Sequence, residues 1–105
     1  MLLQIEKLDS DRGFRLIGEL DASNVDELRG ALDPVVTEGG DITLDLRGLA
    51  FMDSSGIQIL VTTAQGLGER GTLIIVSPGS LVRRLLSLIP VERLENVRIE
   101  GDEET

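Results

Sequence analysis

Two short apolar runs, Ile42–Leu46 and Thr72–Val76, enclose a segment whose apolar residues return at Ile57, Leu60, Val61, Ala64 and Leu67. That spacing is one face of an α-helix. The runs are apolar at adjacent as well as alternate positions, as expected of strands buried on both faces. Strand, helix, strand in this order forms a crossover, which pairs the two strands in parallel and, by chirality, turns right-handed. This unit constrains the chain more than any other feature, because it calls for a sheet with helices packed on it.

The flanking segments extend the same plan. Leu2–Leu8 alternates roughly, Asp9-Ser10-Asp11-Arg12-Gly13 is a turn cluster, and Phe14–Leu20 alternates again, with Gly18 breaking the pattern. The pair reads as an antiparallel hairpin. A helix should open at Asp21-Ala22-Ser23-Asn24, with Ser23 as N-cap and Asp26 in the capping-box position. Val25, Leu28, Leu32, Val35 and Val36 form its buried stripe, Pro34 should kink it or end its regular part, and Gly39-Gly40 closes it. Ser77-Pro78 reads as an N-cap followed by proline at the first helical position. Leu81, Val82, Leu85, Leu86 and Ile89 supply that helix with an apolar face, and Pro90 stops it. Val97–Glu100 is a short last strand. The order is β-β-α-β-α-β-α-β: a single α/β domain over residues 1–100, with a mixed sheet, followed by an acidic tail over 101–105 that is expected to be disordered.

Composition removes several functions. The 105 residues hold no Cys and no His, so thiol nucleophiles, Cys/His zinc sites and a Ser–His–Asp triad are excluded. The net charge of −9 argues against nucleic acid and anionic membrane as partners and suits a protein that meets a basic surface. Only two residues are aromatic, which serves base stacking poorly. No apolar run approaches the ~20 residues of a membrane span, and the start lacks the basic and small-residue features of a signal peptide. A cytoplasmic location is expected.

The chemistry concentrates in Phe51-Met52-Asp53-Ser54-Ser55-Gly56-Ile57, where the third strand gives way to the second helix. Asp and Ser cap helix starts, since their oxygens accept from the unpaired first-turn N–H groups. Capping alone accounts for Asp53, Ser54 and Ser55, with Gly56 allowing close backbone approach. The same place also suits a phosphate, because a helix start favours negative charge. Phosphorylation adds about −1.5 to −2 charges at a patch that a partner would touch. Catalysis by the serine fits worse. The motif is not Gly-x-Ser-x-Gly, and Lys7, the only lysine and on a predicted edge strand, would have to be the base. A nucleotide phosphate at the helix start is a further reading, with Gly48 and Gly56 flanking it but no Walker lysine. Ile59 is expected opposite the buried stripe, exposed within about a turn of Ser55, either as an ordinary surface residue or as a partner contact.

Gly18-Glu19-Leu20-Asp21, Leu44-Asp45-Leu46-Arg47 and Phe51-Met52-Asp53-Ser54-Ser55-Gly56-Ile57 resemble the STAS domain of bacterial anti-anti-sigma factors, over about Leu2 to Ile99. The resemblance implies a non-catalytic anti-sigma factor antagonist, one that binds an anti-sigma factor which is also a GHKL-type serine kinase and so frees the sigma factor. The kinase, using its own ATP and Mg²⁺, would phosphorylate the second serine of the motif, here Ser55, and weaken the complex. A PP2C-type phosphatase would restore it. The chain itself needs no cofactor. The resemblance also places Asp21 at the partner surface, with Ser23, Asp53, Ser54, Gly56 and Ile59 as further expected contacts. Gly56 would give the kinase access to the backbone. The same domain type also serves nucleotide-sensing or scaffold roles in stress and lipid-transport complexes, which is the alternative. Family members usually carry a helix after the last strand. Here it is expected to be absent or very short, leaving open the sheet face that it covers.

Overall fold

The computed structural model describes residues 2–9 and 12–101. Strands β1 (Leu3–Lys7) and β2 (Gly13–Leu20) lead to helix α1 (Val25–Glu38). Strand β3 (Ile42–Met52), helix α2 (Ser54–Leu67), strand β4 (Leu73–Val76), helix α3 (Gly79–Leu86) and strand β5 (Val97–Glu100) follow. The element order matches the sequence reading, and the sheet runs β1-β2-β3-β4-β5. β1 pairs antiparallel with β2, and every later pair is parallel. The expected acidic tail falls mostly on 102–105, outside the described residues.

Each crossover steps to the next strand in the same direction, so right-handed connections stack the helices on one face. α2 accordingly touches both α1 and α3. The core lies between these helices and the alternate strand residues that face them: Leu16, Leu20, Ile42, Leu44, Leu46, Leu73 and Ile75, all almost fully buried. Between them, on the opposite face, stand Arg15, Thr43, Asp45, Ile74 and Arg98, where Arg15 Nε donates to Asp45 Oδ2 at 3.3 Å. No described helix covers that face.

β3 is longer than the run Ile42–Leu46 implied. It continues to Met52 as a half-exposed extension paired with β2 alone, because β4 ends opposite Asp45. Two register shifts let β3 gain residues on β2: Arg15 faces Asp45, Ile17 faces Gly48, and Glu19 faces Phe51. The irregularity at Gly18 belongs here. Its φ of 108° is open to glycine, and a Cβ would stand 2.3 Å from the Leu2 carbonyl oxygen. The outcome of the two shifts is that Leu20 and Met52, the last residues of β2 and β3, lie side by side.

Several local expectations are corrected. Ser23 is not the cap of α1; Asn24 holds that position, and its side chain caps nothing within the helix. Pro34 does not end α1, which runs on to Glu38 with the proline on its exposed side. Pro78, not Ser77, occupies the N-cap of α3, because the Ser77 hydroxyl reaches across to β5's end and donates to the Gly101 carbonyl at 2.6 Å. Leu81 faces outward at 48% exposure, so the buried stripe of α3 is Val82 and Leu86.

Candidate functional site

The pairing of Leu20 with Met52 fixes what comes next. Asp21 and Asp53 are the residues that follow them, so two carboxylates emerge from neighbouring parallel strands at the same edge of the sheet. The Asp53 N–H donates to the Leu20 carbonyl at 3.2 Å, extending the ladder one step into the loops.

Asp53 is the N-cap of α2. Its backbone is extended, at φ −102° and ψ −169°, and its Oδ1 accepts from the N–H groups of Ser55 at 2.8 Å and Gly56 at 3.4 Å. Ser54 is exposed and Ser55 half-buried. The Ser55 hydroxyl makes no hydrogen bond to any described residue. Because Asp53 already occupies the first-turn amides, an added phosphate on Ser55 would not be drawn into the helix start. It would stand outside, beside a carboxylate.

Asp21 is held from its other side. Its Oδ1 accepts from the Ser23 hydroxyl at 2.6 Å and the Ser23 N–H at 2.9 Å. The Ser23 hydroxyl bond is the main reason that the Asp21 carboxyl lies below its ordinary pKa; partial desolvation opposes it. The group is therefore a firm anion on an exposed loop, joined by half-exposed Glu19.

Two expected contacts lie elsewhere. Ile59 is 2% exposed, inside the core between α1 and α2, and offers a partner no surface. α2 is buried on two sides, against the sheet and against α1, so its apolar arc is wider than the stripe through Ile57 and Leu60. Gly56 is buried too. A Cβ there would stand 2.4 Å from Met52 Cγ and 3.0 Å from Leu20 Cδ2, so the missing side chain lets the helix start settle on the strand ends, and gives no access to the backbone from outside. Asp21, Ser23, Asp53, Ser54 and Ser55 do come together at one edge. Lys7 does not join them. It faces Phe14, six residues along β2 from Leu20 and thus about 20 Å away, so no serine–lysine pair forms.

The matching family model carries the description STAS domain and spans residues 3–104. The chain belongs to the STAS domain family. A curated relative of this STAS domain, the anti-sigma-B factor antagonist of Staphylococcus aureus (strain NCTC 8325 / PS 47), is 32% identical, with 98% of each chain covered. Among solved structures, an anti-sigma factor antagonist from Mycobacterium paratuberculosis has a TM-score of 0.75 at 24% identity, covering 96% of this chain and 86% of its own. The Bacillus cell fate determinant SpoIIAA in its phosphorylated form has a TM-score of 0.68 at 20% identity, covering 99% and 92%. These two establish the fold alone.

Sequence reasoning missed Asn24, which is 4% exposed and sits in the turn between Asp21 and α1. In sequence it is one more polar residue in a helix-opening cluster. Only its burial sets it apart. A wide-open concavity of about 770 Å³ lies at the far end of the sheet and includes Asp41, Arg70, Glu92 and Asn96 but none of the motif.

Proposed function

We propose that this STAS domain is an anti-sigma factor antagonist switched by phosphorylation of Ser55. In its bare form it binds an anti-sigma factor of the GHKL serine-kinase type and so releases the sigma factor. The kinase, with its own ATP and Mg²⁺, transfers phosphate to Ser55, and a PP2C-type phosphatase reverses the transfer. The chain is the substrate of both enzymes and the catalyst of neither.

One observation carries this reading. Among the described residues the Ser55 hydroxyl has no hydrogen-bond partner, and it is partly exposed at a helix start where Asp53 already holds the amides of Ser55 and Gly56, beside the loop that holds Asp21. A phosphate there adds about two negative charges to an acidic rim and bulk to a surface that must fit a partner. The fold has no need to change, because the interactions beneath it, Asp53 to its amides and Gly56 on Met52, are internal. The naming of the Staphylococcus aureus relative supports the partner class, and the phosphorylated state of SpoIIAA supports the modification.

The test is mass spectrometry after incubation with a GHKL-type anti-sigma kinase and ATP. Phosphate is expected on Ser55; modification confined to Ser54 overturns the assignment. Ser55→Asp should weaken binding to that kinase, while Ser55→Ala keeps it.

A further inference from the structure

We infer that Asn24 is a positioning residue for partner recognition: it locks the peptide plane that carries Asp21 against the phosphoacceptor loop. The inference rests on the proposed antagonist function and adds a residue to it. Asn24 holds the N-cap position of α1, where a side-chain oxygen ordinarily accepts from the first helical turn. Here it turns back. Its Oδ1 accepts from the Asp21 N–H at 3.0 Å, and its Nδ2 donates to the Glu19 carbonyl at 2.9 Å. The backbone N–H groups of Asn24 and Val25 both donate to the Asp21 carbonyl, at 3.1 and 2.9 Å.

The Asp21 N–H and the Leu20 carbonyl belong to one peptide plane. Asn24 holds its N–H pole, and the Asp53 N–H holds its carbonyl pole at 3.2 Å. That single plane is the mechanical link between the two acidic loops. With both poles bonded it cannot rotate, so the Asp21 carboxylate keeps a fixed station relative to Asp53 and Ser55. Without Asn24 the N–H pole is free, and a rotation of the plane also loosens the Asp53 bond. The buried amide thus acts on a partner it never touches.

The test is a double-mutant cycle in the full chain, with binding to a purified GHKL-type anti-sigma kinase measured by calorimetry. Asn24→Ala should lower affinity about tenfold, as expected from releasing two hydrogen bonds that order a contact loop. In the Asp21→Ala background the same change should have no further effect, because Asn24 acts only through Asp21. Amide exchange of the free protein should show Asp21 and Asp53 losing protection together. Equal binding by wild type and Asn24→Ala, or full additivity with Asp21→Ala, overturns the inference. If Asn24→Ala does not fold, Asn24→Ser decides by the same readings, and failure of both to fold makes the residue merely structural and ends the proposal. Absence of binding by the wild type removes the antagonist function and this binding role with it.

Discussion

The two ends of the sheet solve opposite problems with opposite charges. At the amino end, donors converge on helix carbonyls. The last turn of α1 has no basic residue of its own, yet Arg12 Nη2 donates to the Val35 carbonyl at 2.7 Å, and Arg70 donates to the carbonyls of Val36 at 3.1 Å and Thr37 at 3.0 Å. Asn96 Nδ2 serves the carbonyls of Ala64, Gly68 and Gly71. At the carboxyl end, acceptors converge on amides: Asp53 on Ser55 and Gly56, Asp21 on Ser23. Each end thus complements the helix poles that it meets, cations at the negative ends and anions at the positive. The difference lies in what remains. The guanidinium groups spend their donors on backbone carbonyls of the chain, whereas the carboxylates keep charge on an exposed rim. One end holds the fold together, and the other carries the surface that the proposed function assigns to a partner.

The sharpest way to break that division is to load the carboxyl end. Phosphate on Ser55 should weaken binding to the anti-sigma kinase by about 100-fold, roughly 2.7 kcal/mol, without shifting the melting midpoint. A large fall in stability instead would mean that the rim is structural. Next comes Gly56→Ala, whose Cβ meets Met52 Cγ at 2.4 Å. Overpacking should destabilise by about 1–3 kcal/mol in urea unfolding. Asn96→Ala at the amino end should destabilise by about 1–2 kcal/mol through the carbonyls it abandons, with partner affinity unchanged. If that variant loses binding, the two ends are not separate. The smallest effect belongs to Ser23→Ala, which should let the Asp21 carboxyl rise toward its ordinary value of about 3.9, as read by carboxyl-carbon NMR. Since folding lowers this pKa, the stabilisation it brings is present above the unfolded value and fades as pH falls through the folded one. In Ser23→Ala that acid-side loss should shrink.

The junction was legible because its determinants are local. An apolar strand run, an Asp-Ser-Ser-Gly turn and a helix-spaced segment lie within one stretch, and Asp53 caps α2 as such a residue should. Ser23 and Asn24 were not separable in this way. Both are small polar residues at a helix opening, and which one turns inward depends on the end of β2, not on the helix. Ile59 failed for a related reason. A single buried stripe was read from one helix considered alone, and α1 packs on the side that this stripe left out.

By itself, the sequence determined the element order, the parallel crossovers, the strand-to-helix junction with its serines, and the surplus of negative charge. These follow from periodicity, turn chemistry and composition, which act over a few residues or need no geometry. The tertiary structure alone decided that β3 gains residues on β2 so that Asp21 and Asp53 meet. It also decided that Asn24 and Gly56 belong to the interior, and that Arg12 and Arg70, 23 and 34 positions from the carbonyls of Val35 and Val36, cap a helix whose last turn holds no cation. Such pairings depend on which strands lie side by side and in what register, and that is set only when the whole sheet closes over its core.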